Sequence, residues 1–161
     1  MEDPQQQVYL IYPKLGGLAN DNLVQLENGP ILYHVQSKLL APLGKSYTIC
    51  DDQMNKLMET KQDHTFMFPV HTVVEKNHPV ASVGQIGFIP QNYFIRLAGQ
   101  PKLVLRIPVF DSIFDLAGPK GSVAQIAQYR SKWIVAIDTD QNCAIILPLL
   151  AVIYREYSIG G

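Results

Sequence analysis

The sequence is poor in the features that mark several large classes of protein. It has two cysteines in 161 residues, which excludes a disulfide framework and predicts that Cys50 and Cys143 are reduced and buried. A net charge of −1 excludes the overall basic excess of a nucleic-acid-binding protein. The longest apolar run, from Cys143 to Tyr154, is too short for a transmembrane segment, because a helix needs about 20 residues to cross a bilayer.

Motifs for catalysis and metal binding are also missing. There is no Gly-x-Ser-x-Gly elbow, and Gly118 to Gly121 lacks the spacing of a phosphate-binding loop. Residues 138–142 (Asp-Thr-Asp-Gln-Asn) begin like a calcium loop, but Cys143 and Leu149 stand where that loop needs glycine and glutamate. No Cys-x-x-Cys or His-Glu-x-x-His spacing indicates zinc. We therefore expect no catalytic residue, cofactor or metal, with an unrecognised enzyme as a minor alternative.

The length and the N-terminal residues set the expected organisation. A chain of 161 residues is one domain by default, so we expect a single domain over residues 1–161. The first seven residues are acidic and polar and do not resemble a secretory signal. We expect a cytoplasmic protein.

Short runs with alternating apolar and polar residues fill most of the chain. Such alternation is typical of strands with one buried face, and turn residues such as Asn28-Gly29-Pro30 divide the runs. We expect about 12 of the thirteen runs to be strands, because short runs are the least reliable indicators of a strand. The runs are Val8–Pro13, Leu23–Glu27, Ile31–Lys38, Tyr47–Cys50, Lys56–Gln62, Thr65–Phe68, Thr72–Lys76, Val80–Phe88, Tyr93–Ala98, Leu103–Val109, Ile113–Leu116, Val123–Tyr129 and Trp133–Asp138.

About a dozen antiparallel strands can hide their edges in a sandwich or in a closed barrel. The apolar C-terminal run favours the barrel, because about 8 strands already give a just-filled interior and 12 need a filler. A helix that is apolar on all faces must be buried on all faces. The sequence therefore predicts a mainly β protein, a closed antiparallel barrel of about 12 strands around a hydrophobic C-terminal helix.

The helix is expected at about residues 141–154, with Asp140 as its N-cap. Pro148 lies inside it and removes one backbone hydrogen bond. Either the helix kinks at Pro148, which we favour, or it begins near Pro148 after a last extended stretch. The residues expected to plug the barrel are Ile145, Ile146, Leu149, Leu150, Val152 and Ile153.

The order of these elements resembles the tubby C-terminal-like superfamily, especially its LURP-one-related branch. Residues 26–35 (Leu-Glu-Asn-Gly-Pro-Ile-Leu-Tyr-His-Val) are similar to its strand–turn–strand unit, and residues 51–58 and 75–83 are similar to further copies. Asp140 with the apolar run that follows is similar to the terminal segment of that family. The resemblance covers residues 7–157 and departs from the family at Pro148 and after Asp52, where the turn has no glycine.

This resemblance implies a twelve-stranded barrel around a hydrophobic helix. Tubby proteins bind phosphoinositides, and phospholipid scramblases are distant relatives. LURP-one-related proteins have no clearly established biochemical activity. The basic residues that hold the phosphoinositide in tubby domains have no matching positions here, so none is transferred.

The charge is uneven along the chain. Residues 96–132 carry a net charge of +4, and Lys120, Arg130 and Lys132 are the candidate contacts to an anionic lipid. We expect a non-enzymatic binding domain that recognises an anionic membrane surface or an unidentified protein partner through its outer surface. A carrier of a small apolar ligand is the alternative, although a helix in the barrel would occupy its cavity.

Overall fold

The computed structural model describes residues 5–15, 21–39, 45–63, 68–88 and 91–160. These residues form twelve strands and one helix. The elements are β1 (Gln6–Pro13), β2 (Asn22–Leu26), β3 (Ile31–Leu39), β4 (Lys45–Asp51), β5 (Lys56–Asp63), β6 (Val70–Glu75), β7 (His78–Phe88), β8 (Gln91–Leu97), β9 (Leu103–Ile107), β10 (Ile113–Gly118), β11 (Gly121–Tyr129), β12 (Lys132–Asp138) and α1 (Cys143–Gly160).

The strands form one closed antiparallel barrel. Each strand pairs with its neighbours in sequence, and β1 closes the sheet by pairing with β12 on its other side. Tyr9 of β1, for example, lies opposite Val135 of β12 and opposite Leu26 of β2. The predicted fold class is confirmed, and the sandwich alternative is wrong. The predicted run Thr65–Phe68 lies mostly outside the described residues, and Phe68, which is described, is not in a strand.

The up-and-down order gives the barrel two ends with different connections. We call the end where β1, β3, β5, β7, β9 and β11 finish the loop end, and the opposite end the turn end. Because β12 finishes at the turn end, α1 enters there and runs toward the loop end. At about 1.5 Å per residue, its 18 residues extend about 27 Å along the barrel.

Helix α1 occupies the barrel interior. All nine residues from Ile146 to Tyr154 are buried, so the helix has no solvent-facing side over more than two turns. Asn22 of β2 donates a hydrogen bond from its buried side chain to the carbonyl oxygen of Ala151, at 3.4 Å. The interior is therefore a packed core.

The limits of α1 differ from the predicted 141–154. The helix begins at Cys143, and the carbonyl of Asn142 accepts hydrogen bonds from the N–H groups of Ile145 and Ile146. Asn142, not Asp140, is thus the N-terminal flanking residue, and asparagine is as favourable there as aspartate. Pro148 lies within the helix, as expected, so the alternative of a helix that begins at this proline is wrong.

The six plug residues named from the sequence are not equally buried. Ile146, Leu149, Leu150, Val152 and Ile153 are at most 1% exposed, whereas Ile145 is only partly buried against the core. Strand side chains face them in the expected alternation, as in the fully buried Trp133, Val135 and Ile137 of β12. The core therefore combines one face of every strand with nearly every face of the helix.

Gly84 of β7 lies where the neighbouring strand passes too closely for a side chain. A Cβ atom there would be 2.9 Å from the carbonyl oxygen of Pro69 and 3.0 Å from the Cα atom of Val70. Because both are backbone atoms, we expect Gly84→Ala to lower the free energy of unfolding by about 1–3 kcal/mol, as overpacking does elsewhere. Denaturant unfolding measures this change. Gly118→Ala is the control, because its Cβ would meet mainly the movable end of Leu103; equal losses for both variants would contradict the prediction.

Candidate functional site

The structure does not bring the three predicted lipid contacts together. Lys120 lies in the β10–β11 turn, whereas Arg130 lies in the β11–β12 turn and Lys132 begins β12. Strand β11 separates the two turns, and its nine residues extend about 30 Å at ~3.3 Å per residue. Lys120 is therefore at the turn end, and only Arg130 and Lys132 remain as neighbours at the loop end.

The loop end carries exposed apolar side chains that the sequence analysis missed. Phe110 is 97% exposed and Val109 67% exposed, both in the connection between β9 and β10. Leu15, which follows β1, is 91% exposed. Ile113 and Tyr129, at the adjacent strand ends, are also exposed. Exposed apolar residues are ordinary when scattered, but a group on one end of a molecule indicates a binding surface.

Basic side chains surround these apolar residues. Those nearest the loop end are Lys14, Lys38, Lys61, Arg106, Arg130 and Lys132. Two exposed carboxylates, Asp63 and Asp111, and the buried Asp21 before β2 also lie there, and Asp63 accepts a hydrogen bond from Thr72 at 3.0 Å. The turn end instead mixes lysines with a larger set of acids, namely Glu27, Asp51, Asp52, Glu75, Asp138 and Asp140. The barrel is thus more positive at its loop end than at its turn end.

A cleft of about 370 Å³ opens at the loop end between the β11–β12 turn and the last turns of α1. Its floor is aromatic: the rings of Trp133 and Tyr154 meet edge to face at 5.2 Å, and Tyr157 lies 6.0 Å from Trp133. The Tyr154 hydroxyl donates a hydrogen bond to the carbonyl of Ser131, which ties the helix to the turn. The two walls of the cleft are therefore fixed relative to one another.

A second groove of about 260 Å³ adjoins the cleft through Ser131. Its lining includes Leu15 and Lys132, with Tyr12 donating a hydrogen bond to the side chain of Gln25. An exposed apolar residue and a lysine thus share one depression beside the cleft. Arg130 lines the cleft, and Lys132 lines the adjoining groove.

A buried polar cluster lies inside the barrel toward the loop end. His71 of β6, which is 1% exposed, has its Nε2 atom 2.8 Å from Oε1 of Glu156 in α1. Burial, and then the Glu156 charge, raise the pKa of Tyr47 and of Tyr93 above the ordinary value of tyrosine. The Tyr47 ring also meets the His71 ring edge to face at 5.5 Å. This cluster fixes the end of α1 beneath the loop end.

No group of three acidic, histidine or cysteine side chains in the described part of the chain could hold a metal ion. His64 lies outside those residues. Both cysteines are free, but Cys143 is only partly buried, contrary to expectation. Burial is the main cause that raises the pKa of both the Cys50 and the Cys143 thiol, which disfavours the reactive thiolate.

Comparison with known proteins adds no relative: no protein-family model matches this chain, and no match was found among curated proteins. The described residues also contain no helix with the length and apolar character needed to traverse a membrane.

Proposed function

We propose that this protein is a non-enzymatic binding domain that attaches to anionic phospholipid surfaces through its loop end. The observation that carries the proposal is the placement of Phe110 and Leu15, both at least 91% exposed, on an end that also carries six basic residues. Peripheral membrane proteins combine these two attractions, because neither alone gives stable attachment.

The expected contributions are large enough for reversible attachment. Burial of an exposed phenylalanine or leucine side chain is worth on the order of 1.5–3 kcal/mol. A lysine or arginine near an anionic surface adds about 1 kcal/mol. The summed binding free energy can therefore exceed the free-energy cost of docking. The side chains that contribute to this sum are Phe110, Leu15, Val109, Lys14, Arg130 and Lys132.

A membrane fits this surface better than a rigid protein partner does. The exposed apolar side chains stand on separate connections, with Leu15 after β1 and Phe110 after β9. Each has a polar or charged neighbour in sequence, such as Lys14 beside Leu15 and Asp111 beside Phe110. A fluid interface accommodates separate projecting side chains, whereas a folded partner would require a pocket for each.

The tubby-like assignment stays a proposal. A closed twelve-strand barrel around a C-terminal helix is the architecture that the resemblance implies. The same helix counts against the small-ligand carrier, because its side chains occupy the barrel interior. Attachment to an anionic leaflet would agree with a cytoplasmic location.

Liposome co-sedimentation tests the proposal. We expect binding to phosphatidylcholine vesicles that contain phosphatidylserine and little binding to phosphatidylcholine alone. The double variant Leu15→Ser/Phe110→Ser should bind at least about tenfold more weakly, since it loses two apolar anchors. The control is Met54→Ser/Leu57→Ser, which removes exposed apolar residues from the turn end.

A second pair of variants tests the charge. Lys14→Gln/Lys132→Gln should weaken binding to the anionic vesicles, and Lys76→Gln/Lys120→Gln at the turn end should not. Equal binding to neutral and anionic vesicles, or equal losses from both ends of the barrel, would overturn the proposal. Binding of a protein partner to the bead-immobilised domain in the absence of lipid would instead favour the protein-partner hypothesis.

A further inference from the structure

Among the residues that the structure describes, those lining the cleft at the loop end are rich in hydrogen-bond donors and include no acidic residue. Its lining consists of Gln128, Arg130, Ser131, Trp133, Tyr154, Tyr157 and Ser158. Apart from the fully buried Trp133, the side chains of this set supply a guanidinium group, an amide and hydroxyls. A carboxylate among these described lining residues would repel an anion, and the set contains none.

Arg130 is the only charged side chain among the described residues that line the cleft, and its position is held by the fold. Its backbone has φ of +55°, a conformation that costs free energy for a residue with a side chain. Its guanidinium carbon lies 5.3 Å from the centre of the Tyr129 ring, in a cation–π contact. Within the described part of the chain, Arg130 forms no ion pair. A cation in a strained turn, in a cleft whose described lining contains no acid, is thus available to an anion.

The fixed walls make the cleft suitable for a compact ligand. The hydrogen bond from Tyr154 to the Ser131 carbonyl holds the β11–β12 turn against α1, and Ser158 bonds back to the carbonyl of Tyr154 at 2.7 Å. Its volume of about 370 Å³ lies at the lower end of the range for small-molecule sites. A single headgroup fits this size, whereas an acyl chain would need a longer apolar path.

We infer that this cleft binds one phosphate ester, with the Arg130 guanidinium and the hydroxyls of Ser131 and Tyr157 as its donors. Arginine suits this role because its planar fork can donate two parallel hydrogen bonds to phosphate oxygens. The phosphate ester can be the headgroup of a membrane lipid or a soluble metabolite, since both present the same chemistry. The lipid form of this inference rests on the proposed attachment of the loop end to membranes.

Glycerol 3-phosphate is the soluble probe, and vesicles that contain phosphatidic acid are the lipid probe. Trp133 is the single tryptophan of the chain, and its buried ring contacts Tyr154 and Tyr157 of the cleft, so its indole N–H resonance reports changes in these neighbours on binding. We expect a saturable shift of this resonance with glycerol 3-phosphate. Glycerol, and sodium chloride at equal ionic strength, are the controls and should produce no saturable shift.

Variants at Arg130 distinguish the contribution of the planar guanidinium geometry to binding from the contribution of its positive charge. Arg130→Asn suits the positive φ, so the fold should persist, and it should bind glycerol 3-phosphate about tenfold or more weakly. Arg130→Lys keeps the charge and should also weaken binding, because it loses the planar fork. Lys76→Asn, the control, makes the same kind of change at a cation of the turn end that also has a positive φ, +50°, and should bind the soluble probe like the original protein.

The outcomes distinguish this inference from the proposed function. A Trp133 resonance that shifts with glycerol 3-phosphate only as much as with sodium chloride, or equal losses in Arg130→Asn and Lys76→Asn, overturns the inference even where vesicle binding persists. Saturable binding of glycerol 3-phosphate that depends on Arg130, without binding to either anionic vesicle, supports the cleft and overturns membrane attachment. Tighter binding to phosphatidic acid than to phosphatidylserine vesicles, lost in Arg130→Lys, supports the lipid form.

Discussion

Deletion of residues 143–161 will leave a chain that does not fold cooperatively and that precipitates. Without α1, interior side chains such as Ile11, Ile95 and Leu105, which are now fully buried, would line a water-filled barrel. The helix itself contributes several fully buried large side chains, each worth about 1.5–3 kcal/mol. Their sum is comparable to the 5–15 kcal/mol net stability of a typical domain. Soluble yield and a thermal melt followed by circular dichroism measure the outcome.

Point variants make the same test without shortening the chain. Leu149→Asp places an unpaired carboxylate at a site with 0% exposure and should abolish the cooperative melt. Leu150→Ala should lower the free energy of unfolding by about 2–5 kcal/mol. Ile113→Asp is the control, because this residue is 56% exposed and the same change should cost little there. A monomeric truncated protein with a cooperative melt would show that α1 is dispensable.

The fold could be predicted from the sequence because its two main signals are local. Period-two alternation marks strands one by one, and a run such as Cys143–Tyr154 with no polar face indicates burial on all sides. The C-terminal limit of α1 could not be read in this way. Arg155 and Glu156 look like an exposed tail in sequence, but Glu156 pairs with His71, 85 residues earlier in the chain. No local pattern reveals a partner at that separation.

The candidate site was only partly predictable. Lys120 was grouped with Arg130 by proximity in sequence, although the predicted strand Val123–Tyr129 between them already implied opposite barrel ends. Val109 was assigned to a strand that in fact ends at Ile107. Pro108 before it, and Asp111-Ser112 after Phe110, were the available signal for an exposed connection. The exposure of Phe110 itself depends on tertiary packing around it, and no local sequence pattern indicates that packing.

The second large effect is expected at the buried His71–Glu156 pair. Glu156→Leu should lower the free energy of unfolding by about 1–3 kcal/mol, because it leaves His71 without its 2.8 Å partner at a site that is 1% exposed. Glu156→Gln keeps a group that can bond to the imidazole and should cost less. The exposed pair Lys56–Glu59 is the control, and Glu59→Gln should change stability by at most about 0.5 kcal/mol.

A double-mutant cycle separates the free energy of the His71–Glu156 interaction from the other effects of the two substitutions on stability. The coupling between His71→Leu and Glu156→Leu should reach about 0.5–3 kcal/mol, as for other residues in direct contact. Additive losses within experimental error would show that the two side chains contribute separately.

The pKa values of the two tyrosines beside the pair, Tyr47 and Tyr93, report the Glu156 charge and would not change with a general loss of stability. The Glu156 charge contributes, after burial, to the raised pKa of Tyr47 and of Tyr93, so Glu156→Gln should lower both pKa values in the folded protein. Tyr9 and Tyr33 are internal controls, since burial and Cys143 raise their pKa values. Because Tyr47 and Tyr93 hold their protons more tightly when folded, they stabilise the fold fully below about pH 10 and lose this contribution as pH rises through the folded-state pKa values. Ultraviolet titration of tyrosinate, with alkaline unfolding of Glu156→Gln alongside, measures both effects, and unchanged titration of Tyr47 and Tyr93 would show that Glu156 does not act on them.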